Sequence, residues 1–406
     1  MQGPQADWPA EAWWTAYGDP QLNALIDEAL QTAPDLQAAN ARLQRAEAFT
    51  LLAGSALQPQ LSANVGISAD KLSENHLVPP SPATEGWNGY GRATLDFRWE
   101  MDFWGKNRAG LSAATSELEA RRAEGAQTRL LLASGIASDY AEFSHLFARR
   151  ELALQSLTIR RQTAQLLAQR QANGLETRVS VHTADAARAA AEGALMAADE
   201  QIALQRNRLA AWLGAGPDRG LSITPPQLKL DKVPGLPTQL SANLLGSRPD
   251  LTAARLMAQA QASRIAQKRA EFYPNVNLSA FIGVQSLGLD RLGQSGSAVG
   301  SVGPAISLPI FNGGRLKAEL RGAQAAYAES VARYDATLAR ALQDVADAAV
   351  SQKALQKRLG KAQESVDAAA QAHRLVRQRH PKALAKVPGG TSTGGTSLPA
   401  NEDDAL

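Results

Sequence analysis

Leu61-Ser62-Ala63-Asn64-Val65-Gly66-Ile67-Ser68 alternates apolar residues with small or polar ones at every step. That is the two-residue period of a strand with one greasy and one wet face. The pattern returns 215 residues later as Val276-Asn277-Leu278-Ser279-Ala280-Phe281-Ile282, with Phe281 the one ill-fitting member of the wet set. The same offset carries Pro34-Asp35-Leu36 onto Pro249-Asp250-Leu251, Ala38-Ala39 onto Ala253-Ala254, and Pro59 onto Pro274. Gly105-Lys106 answers to Gly314-Arg315 at an offset of 209, so the second copy is six residues shorter, a deletion that belongs in a loop. A period this long exceeds the roughly 20–50 residues of a stacked solenoid unit, so each copy is half of one pseudo-symmetric architecture.

A second alternating run follows each of these, after a Pro-rich loop in the first half (Pro79, Pro80, Pro82) and a Gly/Ser-rich loop in the second (Gly293 to Gly300). Each half therefore holds a hairpin. In the first, Leu95, Phe97 and Trp99 face one way, while Tyr90, Arg92, Thr94, Asp96, Arg98, Glu100 and Asp102 face the other. A row of mixed charges cannot lie in a core, whereas it suits a strand standing between lipid and a water-filled lumen. On that reading Leu61, Val65, Ile67, Val276, Leu278 and Ile282 face lipid, and Asn64, Arg92, Asp96, Arg98, Glu100 and Asn277 face the lumen. An ordinary antiparallel sheet, solvated on one side and packed on helices, shares this alternation and stays open.

The helices argue for an extended molecule. Trp13-Trp14 and Tyr17-Gly18-Asp19-Pro20 lead into an amphipathic helix over 21–31, with Leu22, Leu25, Ile26 and Leu30 on one face. An Ala-rich helix then runs to about Leu57 and is ended by Pro59. From Gly110 to Asn173 no proline intervenes, and Ile136, Tyr140, Phe143, Phe147, Leu154 and Leu157 recur at helical spacing. Such a rod would span about 95 Å at 1.5 Å per residue. Gly125 and Gly135 inside it are liabilities of about 1 kcal/mol each relative to Ala, so neighbours must hold it. Asn173-Gly174 marks a tip turn and Thr177 caps a return helix ending at Gly214, with Leu195, Ile202 and Leu209 at heptad spacing and Ala198 and Trp212 on the alternate position.

The organisation expected is an N-terminal extension (1–20), a first repeat (21–214) and an interhalf strap (215–238). A second repeat (239–379) and a disordered tail (380–406) follow. The first repeat contains a hairpin over 59–104 and a helical hairpin over 110–213. The second contains a helix over 239–272, a hairpin over 274–311 and a long helix from about Gly314 to Arg379. The tail, with Pro388-Gly389-Gly390 and an acidic end, stands where a fourth long arm is expected, so the chain reads as shortened relative to a longer parent.

Composition narrows the function. Forty-two basic residues against 39 acidic ones are scattered rather than striped, which argues against nucleic acid. Cysteine is absent, excluding disulfides and a thiolate nucleophile. No basic stretch followed by an apolar run opens the chain, so no secretory signal is read there. The longest apolar stretch, Leu130 to Ala137, falls far short of the roughly 20 residues a membrane helix needs, so any spanning is done by strands.

Together the motifs resemble the outer membrane factors, the TolC-like efflux proteins, and within them the subgroup working with resistance-nodulation-division pumps. Trp14 with Tyr17-Gly18-Asp19-Pro20-Gln21-Leu22 is similar to that subgroup's N-terminal motif, and Trp99-Glu100-Met101-Asp102-Phe103-Trp104-Gly105-Lys106 to its first strand-to-helix junction. Arg248-Pro249-Asp250-Leu251, Phe272-Tyr273-Pro274 and Phe311-Asn312-Gly313-Gly314-Arg315 resemble its second-half landmarks, the whole likeness covering about residues 8–379. The resemblance implies a mainly α fold with a small β part. Four strands per protomer would enter a twelve-stranded transmembrane β-barrel of a homotrimer, and the long helices a periplasmic helical barrel. It implies an outer membrane location reaching into the periplasm, an inner membrane pump and a periplasmic adaptor as partners, contact with outer membrane lipid, and passive conduction of drugs or other small solutes to the exterior. In this likeness Asn173 and Gly174 form the periplasmic tip turn. The family's lipid-bearing cysteine is absent here, and the aperture residues, which follow the family's second tip turn, are unidentified.

No enzyme, cofactor or metal site is expected. His76, His145, His182, His373 and His380 form no ligand pair and read as surface residues. Glu100 and Asp102 share a strand parity that could serve a glycosidase pair, but lumen or junction charges account for them. Gln294-Ser295-Gly296 lacks the strand-to-helix setting of a nucleophile elbow and reads as a loop tip. The competing non-enzymatic reading is a soluble periplasmic helical-hairpin scaffold or adaptor without a channel.

Overall fold

The computed structural model describes residues 12–73, 75, 81–82, 84–229, 246 and 248–379. The expected tail over 380–406, most of the N-terminal extension, the second part of the strap, and His76 and His380 lie outside them. A 3-10 turn, Trp13–Tyr17, precedes α1 (Pro20–Thr32), α2 (Pro34–Ser55), β1 (Gln60–Lys71), β2 (Trp87–Met101), α3 (Lys106–Ala172), α4 (Arg178–Trp212) and α5 (Pro217–Leu221). Then come α6 (Pro249–Ala270), β3 (Asn275–Leu287), β4 (Ala298–Ser307) and α7 (Arg315–Arg379). The chain divides into two compact units that each draw on both halves of the sequence. The first comprises 1–39, 125–248 and 339–406, and the second 40–124 and 249–338.

In the first unit, α1 starts where Asp19 accepts a 2.9 Å hydrogen bond from the Gln21 amide and Pro20 occupies the first turn, where its missing N–H costs nothing. Its apolar stripe, Leu22, Leu25, Ile26 and Ala29, is buried with Ile136, Tyr140 and Phe143 of α3 and Ile202 and Leu209 of α4 in one core. Burying each of the larger side chains stabilises by about 1.5–3 kcal/mol. Gly135 has a use here that a helix-propensity reading misses. A Cβ on it would lie 2.8 Å from the ring of Trp212, so its bareness lets the indole lie against α3. The indole Nε1 then donates to Asp139 Oδ2 at 2.5 Å. His145 is also corrected: it is buried, 8% exposed, and not a surface residue, because it sits on the inward stripe of α3 near Leu146.

The strap is clasped onto the same core. Asp19 Oδ2 accepts from Tyr140 Oη at 2.8 Å and from the Gln227 amide at 2.7 Å, while Gln21 Oε1 accepts from the Thr224 amide and hydroxyl at 2.9 and 2.7 Å. Burial, with help from the neighbouring Asp19 carboxylate, pushes the Tyr140 phenol far up, so it remains a proton donor. Within the strap, Gly216-Pro217 starts the short α5, an element not expected from composition.

At the far end of α3, Gly174 takes a left-handed φ of 72° and the Ser180 amide donates to Thr177 Oγ1 at 3.2 Å, the expected turn and cap. The helix expected over 239–272 is interrupted: residue 246 is helical, Arg248 is not, and α6 opens at Pro249, which has no amide to continue an earlier helix. The part over 239–245 lies outside the described residues. No helix among the described residues is long and apolar enough to cross a membrane.

The second unit holds one antiparallel sheet in the order β1-β2-β3-β4. Gln60 stands opposite Arg98 in the first hairpin and Asn275 opposite Ser307 in the second. Moving β1 by 215 and β2 by 209 converts the one register into the other without remainder, so the duplication seen in the chain is a duplication of hydrogen-bonded structure. The second loop ends sooner than its composition suggests, since β4 begins at Ala298.

Candidate functional site

Register fixes which side chains share a face, because residues directly opposite in an antiparallel pair point the same way. Leu61, Ala63, Val65 and Ile67 of β1 stand opposite Phe97, Leu95, Ala93 and Gly91 of β2. Leu95, Phe97, Trp99 and Met101 stand in turn opposite Ile282, Ala280, Leu278 and Val276 of β3. These last four face Gly300, Val302, Pro304 and Ile306 of β4. In the rows that all four strands share, that face carries no polar side chain, while Lys71 and Ser286 enter it toward the loop end. It is also bare: Val65 is 76%, Val302 75% and Ile306 68% exposed. Contiguous apolar surface on this scale marks an interaction site.

The opposite face is polar, and its groups are tied to one another. Asn64 Nδ2 and Thr94 Oγ1 both donate to Asp96 Oδ2 at 2.8 Å, and Tyr90 Oη donates to Gln285 Oε1 at 3.0 Å. Arg98 stands opposite Ser279 and Glu100 opposite Asn277. Phe281, the ill-fitting aromatic, carries the Arg92 guanidinium 5.1 Å above its ring. Such a cation–π contact is worth about 0.5–2 kcal/mol, which gives the aromatic a place on a wet face. Asn64, Arg92, Asp96, Arg98, Glu100 and Asn277 thus share one face, and Leu61, Val65, Ile67, Val276, Leu278 and Ile282 the other.

At the lower rim the strands hand over to helices. Asp102 caps α3: its two carboxylate oxygens accept from the Asn107 and Arg108 amides at 3.1 and 2.8 Å. Burial raises the carboxyl's pKa, but those amides and the Arg108 side chain outweigh it and hold it below the ordinary range. Glu100 forms a 2.5 Å ion pair with Lys106. Gly105 and Gly314, equivalent in the two halves, both take left-handed φ, 77° and 87°, at the corner where strand becomes helix. Trp104 stacks on Tyr273 with ring centroids 4.7 Å apart and donates to the Pro274 carbonyl at 2.9 Å. Lys268 and Arg315 both bind Glu319, at 3.0 and 2.7 Å, and hold its carboxyl down at about 2. The Trp104 contacts join the two halves and the Glu319 cluster ties α6 to α7, and no local pattern announces either.

The Asn173-Gly174 turn is exposed and is closed by the Gly174 amide donating to the Gln171 carbonyl at 2.9 Å.

Comparison with known proteins agrees with this geometry. The sequence profile of the family described as "Outer membrane efflux protein" matches residues 25–215 and 240–382. The fusaric acid resistance protein FusA of Burkholderia cepacia is 36% identical over 325 residues, which cover 79% of this chain and 61% of that protein. The chain thus spans less than two thirds of that relative's length. The multidrug resistance outer membrane protein MdtP of Escherichia coli K12 is 33% identical over 347 residues, 84% of this chain and 71% of its own. Among solved structures, the outer membrane protein VceC of Vibrio cholerae superposes with a TM-score of 0.89 at 43% identity, over 98% of this chain and 95% of that one.

Proposed function

The chain belongs to the outer membrane efflux protein family, and from that premise we propose that it is the outer membrane channel of a tripartite efflux system. It conducts small solutes passively from an inner membrane pump and periplasmic adaptor to the exterior. The single observation that carries this reading is the sheet with one predominantly apolar, exposed face and one predominantly polar face. Leu61, Val65, Ile67, Val276, Leu278 and Ile282 meet lipid; Asn64, Arg92, Asp96, Arg98, Glu100 and Asn277 meet the water of the lumen. Four strands are too few to enclose an aqueous lumen, so three copies contribute twelve and remove every open edge. The long helices continue the conduit into the periplasm, where the Asn173-Gly174 tip meets the adaptor. A soluble scaffold would need the apolar face covered, and its exposure speaks against that reading.

Expression of the full chain with export to the outer membrane, then fractionation, sizing in detergent and planar-bilayer recording, tests the proposal. The expected result is a trimer in the outer membrane fraction that gives discrete conductance steps. A monomer that stays dissolved without detergent would refute it.

A further inference from the structure

We propose that the cavity where strands hand over to helices binds a solute bearing a protonated primary amine beside an aromatic ring, with Asn275, Glu100 and Glu271 receiving the amine. The cavity, of about 540 Å³, lies wholly within the second unit and is lined from the starts of α3 and α7, the end of α6 and the adjoining strand ends. Its size falls within the roughly 300–1,000 Å³ of small-molecule sites. Trp104 and Tyr273 form part of the wall, stacked 4.7 Å apart and each 52% exposed, so aromatic surface is left uncovered for a ligand ring. Asn275 Oδ1 is buried, and among the described residues it is the one buried lining side-chain atom without a hydrogen-bond partner. An orphaned acceptor is unfavourable, and an N–H donor entering the cavity relieves it.

The charges say which donor fits. Lys106 is already engaged by Glu100, and Arg315 by Glu319 at 2.7 Å. The N-terminus of α3, which would otherwise draw an anion, is filled by Asp102. Glu100 and Glu271 each hold a lysine through Oε1, and a carboxylate offers about four acceptor positions, so both can accept again. Their side chains are only 26% and 20% exposed, where charge is screened less than on open surface. An anion would face these two carboxylates and leave Asn275 unanswered. A quaternary ammonium has the charge but no N–H to give.

The internal repeat separates what the corner needs for folding from what it carries besides. The glycine and the base after it recur, Gly105-Lys106 as Gly314-Arg315. The ligand contacts do not. Glu100 and Trp104 correspond to Pro309 and Gly313, and Glu271, Tyr273 and Asn275 to Ala56, Gln58 and Gln60. One corner of the duplicated plan therefore holds the site and the other keeps only the turn, which gives one site per chain. Asn275 stands opposite Ser307 on the polar face, so the cavity adjoins the water of the lumen. That placement rests on the channel reading above, whereas the cavity belongs to a single chain.

Full-length chain purified in detergent is to be titrated by calorimetry at neutral pH with 2-phenylethylamine, and in parallel with trimethyl(2-phenylethyl)ammonium and phenylacetate. The expected result is saturable binding of one amine per chain, about tenfold weaker binding of the quaternary cation, and none of phenylacetate. Asn275→Leu should weaken the amine about fivefold or more, and Asn275→Asp should tighten it several-fold, while both variants keep the size and conductance of the unaltered chain. Equal binding of the two cations, or an Asn275→Asp chain that binds the amine no better, overturns the contact with Asn275. Saturable binding of phenylacetate in place of the amine overturns the assigned charge. A conducting trimer that binds no amine overturns the site and leaves the channel standing. A monomer without conductance refutes the channel reading, and amine binding by that monomer would still uphold the site.

Discussion

Gly135 separates two effects that compete at a single position. Ala there would favour the helix by about 1 kcal/mol, yet its Cβ would press on the Trp212 ring at 2.8 Å. Overpacking of this kind costs about 1–3 kcal/mol, so Gly135→Ala should lower the melting temperature and free Trp212 from Asp139, visible as a red shift in indole emission. Charge on the sheet should be tolerated by face. Val65→Lys places a cation at the lipid side for about 2–4 kcal/mol near mid-membrane, whereas Asn64→Lys faces water. The first should deplete the membrane-inserted form and the second should not, as measured by fractionation and heat-resistant trimer on gels. Glu319 sets a pH expectation. Its folded pKa, about 2, lies below the ordinary 4.5 because Lys268 and Arg315 hydrogen-bond the carboxylate. Its stabilisation is therefore fully present above the ordinary value and fades as pH falls from there through about 2. Carboxyl NMR should find Glu319 ionised at pH 3.5, and Glu319→Gln should flatten this part of the stability profile.

Among the elements, boundaries are set by a few capping groups that can be tested singly. Asp102→Ala removes the acceptor for two amides at the start of α3. Such a loss costs about 0.5–2 kcal/mol and should appear as faster hydrogen exchange in the first turn after Lys106. The long helices and the strands are legible from the chain because each repeats one rule many times: Ile136, Tyr140 and Phe143 mark a helical stripe, and Leu61 to Ile67 a pleated one. What escapes is set by a partner distant in sequence. Trp212 gives Gly135 its purpose, Arg92 gives Phe281 its place, and Tyr273 gives Trp104 its stack. The burial of His145 is not legible in the sequence because a polar residue on a helix is usually outside, and only the neighbouring elements bury it. The short α5 escaped because Pro217 and Gly216 can open a helical turn as readily as a loop.

For the whole molecule, the duplication settles more than ancestry. A hairpin built twice on one plan gives a four-stranded sheet whose outer strands a single copy leaves open among the described residues. That sheet is ill-suited to water: two edges open among the described residues and a predominantly apolar side call for neighbours and lipid. Diluting purified trimer out of detergent should therefore give precipitate before any dissolved monomer, as followed by light scattering. Timing follows as well. A copy that zipped up its strands during transit would be a seed for fibrous growth, so export must keep this part of the chain unfolded, or chaperoned, until the membrane is at hand. The core shared by α1, α3 and α4, which draws no residue from the sheet, is at liberty to form first.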